Sequence, residues 1–156
     1  MALEGGVATP TILLVDDNPI DRILATKAFQ RAEIKNPIRE LCDGEELMDY
    51  LLRHGRYANE PWPEGPLVIL LDINMPKKNG LEALAEIKGN RLLRAIPVIM
   101  LTTSDAPGDV ALSYELGANS FITKPMNFTE FMNLVRRFAA YWLESSALPQ
   151  QAPADL

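Results

Sequence analysis

Residues 67–76 read Leu-Val-Ile-Leu-Leu-Asp-Ile-Asn-Met-Pro, a short apolar run that ends at an aspartate. Five consecutive apolar residues without polar alternation are typical of a strand covered on both faces, as in a parallel sheet. Met75 and Pro76 then end the extended segment, because proline does not continue a central strand. This stretch predicts a central strand with the carboxylate of Asp72 at its carboxyl end.

The same arrangement recurs along the chain, since four other apolar runs are each followed by a polar break and a helical pattern. Repeated strand-helix units of this kind predict a doubly wound parallel sheet with helices on both faces. The predicted strands are residues 11–15, 37–41, 67–71, 97–101 and 119–122. We therefore expect an α/β protein with five strands.

Most helices begin at a recognisable capping residue. Asn18 precedes Pro19, which suits the first helical position. Three further starts pair an acceptor with a glutamate three residues later: Asp43 with Glu46, Asn79 with Glu82, and Asn127 with Glu130. A fourth helix, at about residues 107–116, has no single apolar stripe. In the first helix we expect the buried stripe to be Ile20, Ile23, Leu24 and Ala28.

Length and charge limit the classes of function. The 156 residues suffice for one domain, and we expect it at 11–144, between a flexible arm at 1–10 and a tail at 145–156. Fifteen Lys and Arg against 21 Asp and Glu give a net charge of −6, which disfavours nucleic acid and anionic membranes as partners. Because no signal sequence or membrane-spanning run is present, we expect a cytoplasmic protein.

A few isolated residues have plain structural interpretations. Cys42 is the only cysteine, so no internal disulfide can form, and we expect a small buried or half-buried side chain. We assign four methionines to the core: Met48, Met100, Met126 and Met132. The connection at residues 54–66 is long and leaves two interpretations open, an inserted surface loop or a partner-docking loop with Tyr57 and Trp62 exposed.

Polar residues lie at the carboxyl ends of four of the five predicted strands: Asp16, Asp17, Asp72, Thr102 and Lys124. Carboxyl ends of parallel strands meet at one rim, and with a strand order of 2-1-3-4-5 the three carboxylates share a crevice. Like charges this close favour a bound cation, and hard oxygen ligands suit Mg²⁺. With an ammonium group opposite, the set fits phosphoryl transfer to Asp72, and Thr102 offers a hydroxyl donor.

The chain resembles the receiver domains of two-component response regulators from about residue 12 to residue 138. The resemblance is carried by Leu-Val-Asp-Asp at 14–17, Leu-Asp-Ile-Asn-Met-Pro at 71–76 with Gly80, Leu-Thr-Thr-Ser at 101–104 and Thr-Lys-Pro at 123–125. It implies a flavodoxin-like fold with strand order 2-1-3-4-5 and five helices. Within the family the chain is most similar to the small stand-alone regulators paired with bacterial phytochrome kinases, on the basis of the proline-containing loop after His54, Ser-Tyr-Glu-Leu at 113–116 and Phe-Ala-Ala-Tyr-Trp at 138–142.

The resemblance also implies roles for single residues. Asp72 would be the phosphoacceptor, with Thr102 and Lys124 holding the phosphoryl group. Mg²⁺ would be bound by Asp17, Asp72 and the backbone carbonyl of Asn74, with Asp16 acting through water. Thr102 and Phe121 would be the switch pair, and Phe121 lacks the hydroxyl of a tyrosine switch. The bond between Lys124 and Pro125 would be cis.

These roles describe a signalling protein that catalyses only its own phosphorylation and dephosphorylation. The expected partners are a sensor histidine kinase of the phytochrome type, a downstream phosphotransfer protein, and a second copy bound through helix four, strand five and helix five. Two alternatives remain. One is a magnesium-dependent phosphohydrolase with an aspartate nucleophile, although Asn74 stands where its acid/base carboxylate is normally found. The other is a binding module of the same fold that works without phosphorylation.

Overall fold

The structure is a computed structural model that describes residues 8–150. Five strands alternate with five α-helices, and a 3-10 turn and a π-helical turn are added. In chain order the elements are β1 (Thr11–Val15), α1 (Pro19–Arg31), β2 (Ile38–Leu41), α2 (Gly44–Leu52), the 3-10 turn (Gly55–Tyr57), β3 (Leu67–Leu71), α3 (Gly80–Gly89), β4 (Val98–Thr102), α4 (Pro107–Glu115), β5 (Ser120–Thr123), α5 (Phe128–Phe138) and the π-helical turn (Ala139–Ser145).

The five strands form one sheet in the order β2-β1-β3-β4-β5, and all neighbouring pairs are parallel. This confirms the predicted flavodoxin-like architecture. Three strands begin one residue later than predicted, at Ile38, Val98 and Ser120. In two of these cases a proline precedes the strand, and its carbonyl accepts a ladder hydrogen bond although proline has no N–H to donate.

The predicted helix caps of α1 and α3 are formed. The side chain of Asn18 accepts hydrogen bonds from the N–H groups of Ile20 and Asp21, and Pro19 occupies the first turn of α1. Asn79 and Glu82 form a complete capping box, in which each side chain accepts from the other's backbone N–H. These caps satisfy backbone donors that a helix start otherwise leaves unpaired. They also fix the direction in which each helix leaves the sheet.

The side chains of Asp43 and Asn127 cap α2 and α5 in the same way, each accepting from the N–H three residues on.

Two apolar clusters cover the two faces of the sheet. One joins the sheet to α2 and α3. The other joins it to α1 and α5, where the rings of Phe29 and Phe138 meet edge to face with centroids 6.0 Å apart. Burying two aromatic side chains in this geometry contributes about 0.5–1.5 kcal/mol beyond the area they remove from water.

The prediction for the buried face of α1 was wrong in three of its four residues. Ala28 is buried, but Ile20 and Ile23 are 65% and 56% exposed, and Leu24 is also exposed. The helix instead buries a face centred on Ala25, Ala28 and Phe29. Both sets have helical spacing, and the alanines allow the helix to lie closer to the sheet than isoleucines would.

The connection at residues 54–66 was expected to expose Tyr57 and Trp62 if it docks a partner, and it does not. Tyr57 is buried, and Trp62 is half-buried against the core. The Tyr57 ring contacts the guanidinium of Arg39, 5.2 Å from its centroid, and its hydroxyl donates to Glu46. The guanidinium of Arg53 covers the Trp62 ring at 4.5 Å. These cation-π contacts hold the loop against β2 and the end of α2, so the aromatic side chains are not available as the docking interpretation requires.

Two further predictions of burial were wrong. Cys42 is exposed, because it follows the buried Leu41 at the end of an edge strand, where successive side chains point to opposite sides. Met126 is fully exposed in the connection between β5 and α5, whereas Met48 and Met100 are buried as expected. Met132 is partly buried against the second cluster.

The described parts of the two termini lie against the domain. Asn36 donates a side-chain hydrogen bond to the carbonyl of Pro10, and Leu148 packs on the second cluster. The rest of the predicted arm and tail, residues 1–7 and 151–156, lies outside the described residues. Among residues 8–150, no helix is both long and apolar enough to cross a bilayer.

Candidate functional site

Three carboxylates from two strand ends meet at the carboxyl rim of the sheet. One oxygen each from Asp16, Asp17 and Asp72 lies within 4.8 Å of the others. The register causes this, because Val15 pairs with Leu71 and the N–H of Asp72 donates to the Val15 carbonyl at 3.0 Å. Both chains therefore leave the sheet at the same level, and the sequence-predicted cluster forms.

The residues of the cluster differ in their exposure. Asp16 is buried, Asp72 is half-buried and Asp17 is exposed. Burial raises the pKa of the Asp72 carboxyl, and the charge of Asp16 raises it further. A hydrogen bond from Thr102, the charge of Lys124 and the N–H of Ile73 oppose the shift without cancelling it. The carboxyl group at the centre of the site is thus harder to ionise than a carboxyl group in water.

Lys124 reaches the cluster from the connection after β5. Its ammonium Nζ lies 2.5 Å from an oxygen of Asp16 and 3.7 Å from an oxygen of Asp21. Its backbone N–H donates to the Thr102 carbonyl at 2.7 Å, which holds the start of the connection beside β4. Burial lowers the pKa of Lys124, but the hydrogen bond and charge of Asp16, then Asp72 and Asp21, raise it overall.

The expectation of a cis bond between Lys124 and Pro125 was wrong. The residues of the described chain contain no cis peptide bond. The ammonium group of Lys124 contacts Asp16 with the bond in the trans form.

Gly80 allows close contact beneath the site. It is the first residue of α3, and its N–H donates to the Ile73 carbonyl at 2.8 Å. A Cβ at this position would overlap the backbone carbonyl of Asp72 and lie 2.9 Å from the Ile73 Cα. The glycine of the motif is therefore explained by packing against the backbone that carries Asp72.

The predicted switch residues lie on neighbouring strands. Thr102 is buried at the end of β4, and Phe121 of β5 is half-buried against the first cluster. The backbone N–H of Phe121 donates to the hydroxyl of Tyr114 on α4 at 3.0 Å. Asn74 is exposed directly after the site, and its predicted role as a carbonyl ligand stays a prediction.

The sequence analysis did not identify two residues that lie near the site. Asp21 faces Lys124, and Arg22 donates to the backbone carbonyl of Asp16 at 2.5 Å. Both belong to the first turn of α1, where an acidic residue is ordinary and carries no special signal. Only the distance between Asp21 and Lys124 in space identifies it.

The donor set fits a divalent cation. Three carboxylates supply hard oxygen atoms, the type of ligand that Mg²⁺ and Mn²⁺ take from proteins, and the exposed Asp17 leaves the cluster open to solvent. Burial is the main cause of the raised pKa of Asp72, and a cation would offset the smaller contribution that comes from the charge of Asp16.

The chain is similar to known signalling proteins along most of its length. Residues 12–136 match the response regulator receiver domain model. The chain is 42% identical over 138 residues to response regulator Rcp1 of Synechocystis sp., covering 88% of this chain and 92% of the relative.

Solved structures agree with this similarity. The Mn²⁺-bound form of Rcp1 superposes with a TM-score of 0.80, covering 89% of this chain and 98% of that one. The phosphorylated cyanobacterial phytochrome response regulator RcpA, 39% identical, has a TM-score of 0.83 and coverage of 92% and 100%. The bacteriophytochrome response regulator AtBRR, 40% identical, has a TM-score of 0.70 and coverage of 91% and 98%. With its fold, its rim of strand-end residues and these matches, the chain belongs to the response regulator receiver family.

Proposed function

We propose that the chain is a phosphorylation-controlled switch whose Asp72 accepts a phosphoryl group from a sensor histidine kinase. The observation that supports this is the meeting of Asp16, Asp17 and Asp72 at one rim with the ammonium group of Lys124 beside them. The family match and the similarity to phosphorylated RcpA support the same role. The phytochrome relatives favour a phytochrome-type kinase as the partner, acting in the cytoplasm.

In the proposed site, Asp17, Asp72 and the Asn74 carbonyl would hold Mg²⁺ directly, and Asp16 through water. When bound, the ion supplies positive charge that offsets the carboxylates and the oxygens of a phosphoryl group. Support comes from the spacing of the carboxylates and from the relative Rcp1, whose structure is a Mn²⁺-bound form.

The residues of the chain perform the transfer by position and charge. An Asp72 oxygen forms a bond to phosphorus while the phosphorus–nitrogen bond of the phosphohistidine breaks. The electron pair of that bond stays on the imidazole nitrogen, which takes up a proton from water. Lys124 pairs with a phosphoryl oxygen and the Thr102 hydroxyl donates to another, which disperses the charge that the transfer brings into a half-buried site.

The exposed apolar side chains of α1 fit docking of the kinase. Ile20, Ile23 and Leu24 are exposed on a helix that begins beside the site, and Met126 is exposed next to Lys124 and Pro125. Apolar side chains this exposed on one helix are typical of a partner surface. The misassigned stripe of α1 therefore gains a use in the proposed mechanism.

The signal would leave through α4, β5 and α5. On phosphorylation Thr102 would move toward the phosphoryl group and Phe121 would repack, changing the exposed side of α4, which carries Leu112 and Tyr114. We propose that this surface binds a second copy or a downstream phosphotransfer protein. Residues 11–144 would form the receiver unit that carries both functions.

The alternatives have weaker support. A phosphohydrolase of the aspartate type normally carries an acid/base carboxylate two residues after its nucleophile, and Asn74 cannot serve in that role. A module that works without phosphorylation would not need a carboxylate cluster with a lysine beside it.

The test is incubation with Mg²⁺ and acetyl phosphate, followed by intact mass measurement. We expect one added phosphoryl group in the wild type and none in Asp72→Asn. Asp49→Asn on α2, which changes the charge equally on another element, serves as the control and should still be phosphorylated. Repeated turnover of a small phosphate ester, or equal phosphorylation of Asp72→Asn, would contradict the proposal.

The α1 surface is tested with a phosphorylated kinase as donor. Ile23→Glu should slow transfer from the kinase at least tenfold and leave phosphorylation by acetyl phosphate unchanged, because the small donor needs no docking. Equal loss with both donors would show damage to the site itself and would contradict the docking role.

A further inference from the structure

We infer that Asp21 is a positioning residue. Its carboxylate competes with Asp16, and with a phosphoryl group on Asp72, for the ammonium group of Lys124. It thereby adjusts the affinity of the site for a cation and for the phosphoryl group. This inference rests on the proposed function. Three observations support it: the two acidic partners of Lys124, the presence of Asp16 in both the ion pair and the carboxylate cluster, and the position of Asp21 in the capped first turn of α1.

The position of Asp21 is fixed by the helix start. Its backbone N–H donates to the side chain of Asn18 at 3.2 Å, and this cap ties Asp21 to the end of β1. Its carboxylate is free of that cap and points to Lys124, with 3.7 Å between the charged atoms. Asp21 is therefore held beside the site by its backbone and acts on it through its charge.

Lys124 is shared between two acidic residues on the α1 side of the crevice. The oxygen of Asp16 at 2.5 Å is the stronger partner, and Asp21 at 3.7 Å is the second. The other oxygen of Asp16 accepts from the Asn18 N–H at 3.0 Å. Each oxygen of Asp16 thus already has one partner within the protein, and Lys124 is one of the two.

Asp16 also belongs to the carboxylate cluster, whereas Asp21 does not. A cation at the cluster draws on the charge of Asp16, so Lys124 must loosen its contact there. Asp21 then offers the ammonium group a second anionic partner on the same side. We expect this partner to ease entry of a cation and to hold Lys124 back from a phosphoryl group on Asp72.

The size of the effect follows from exposure. The Asp21 side chain is 40% exposed and that of Lys124 is 15% exposed, so the pair is partly screened by water. Pairs of this kind change an equilibrium constant by about fivefold or less. We therefore expect changes of about two- to fivefold in binding, with opposite signs for cation and phosphoryl mimic.

The experiment compares Asp21→Asn with the wild type by calorimetric titration. Mg²⁺ alone should bind two- to fivefold more weakly to the variant, because Lys124 then stays with Asp16. Fluoroberyllate, a phosphoryl mimic, should bind two- to fivefold more tightly at saturating Mg²⁺. Asp49→Asn, with the same change in net charge, should bind both ligands as the wild type does.

A second background separates action through Lys124 from direct action on the ligands. In Lys124→Met, the change Asp21→Asn should alter neither affinity. If both shifts persist there, or if Asp21→Asn shifts neither affinity in the wild-type background, the inference is wrong. If the wild type binds no fluoroberyllate and takes no phosphoryl group, the proposed function itself has failed, which is a different result.

Discussion

Replacing Gly80 with alanine tests the link between the packing of α3 and the position of Asp72. The added Cβ would overlap the Asp72 carbonyl oxygen, and two more backbone atoms, the Asp72 carbonyl carbon and the Ile73 Cα, would lie 2.9 Å away. Backbone atoms of a central strand end cannot turn aside as a flexible side chain can. Either α3 or the segment that carries Asp72 must therefore move.

Two opposing effects decide the magnitude. In the middle of a helix, alanine is about 0.5–1 kcal/mol more stabilising than glycine, and this is an upper limit for Gly80, the first residue of α3. Overpacking against fixed atoms costs about 1–3 kcal/mol, and the backbone overlap of the Gly80→Ala Cβ favours the upper part of that range. We expect a net loss of about 1–2 kcal/mol, which lowers Tm by roughly 2–8 °C in a chain of this size. A shift of about 1 Å at a reacting group can cost about a hundredfold in rate.

The assay is thermal unfolding together with phosphorylation by acetyl phosphate. Gly80→Ala should unfold earlier and take up phosphate at least tenfold more slowly. Gly89→Ala, at the other end of α3, is the matched control, because a Cβ there meets no atom within 4 Å. It should be as stable as the wild type or slightly more stable. A Gly80→Ala protein with unchanged Tm and rate would refute the packing argument.

Three further predictions concern stability. Asp72→Asn in metal-free buffer should stabilise the fold at pH 7 and have little effect near pH 3. Because the pKa of Asp72 is raised in the folded protein, its ionised form destabilises the fold as pH rises above about 3.9. An equal gain in Tm at both pH values would contradict this prediction. Asn79→Ala removes the capping box of α3 and should lower the free energy of unfolding by about 1 kcal/mol in urea titration, whereas Asn133→Ala on α5 should change it less. Phe138→Ala empties the space beside Phe29 and should cost about 3–5 kcal/mol, and a loss below 1 kcal/mol would mean that the cluster repacks.

The sequence predicted the sheet and the cluster because both depend on local patterns that the fold preserves. An apolar run such as 67–71 defines a strand, and an acidic residue directly after it must lie at the rim. Once Val15 and Leu71 are paired, the cluster needs no further long-range information. Capping residues are local in the same sense, so the starts of α1 and α3 were predicted to the residue.

Two of the failures concern contacts between residues that are far apart in the chain. Tyr57 lies in a polar segment, and it is buried because Arg39 of β2 and Glu46 of α2 receive its ring and hydroxyl. No pattern within residues 54–66 contains that information. The buried face of α1 failed for a related reason, since two sets of apolar residues share helical spacing and only packing on the sheet selects one of them.

The role proposed for Asp21 joins these two kinds of information. Its place follows from a local signal, the cap of α1 by Asn18, but its partner Lys124 follows it by more than a hundred residues. The ammonium group of Lys124, just after β5, can pair with carboxylates that follow β1 and β3 or belong to α1. Which of them it contacts depends on what else each carboxylate binds. Asp16 and Asp72 are members of the carboxylate cluster, whereas Asp21 is not. A receiver with a neutral residue at this position should therefore bind cations more weakly and the phosphoryl group more tightly, and the residue becomes a means of adjusting the switch without altering the groups that react.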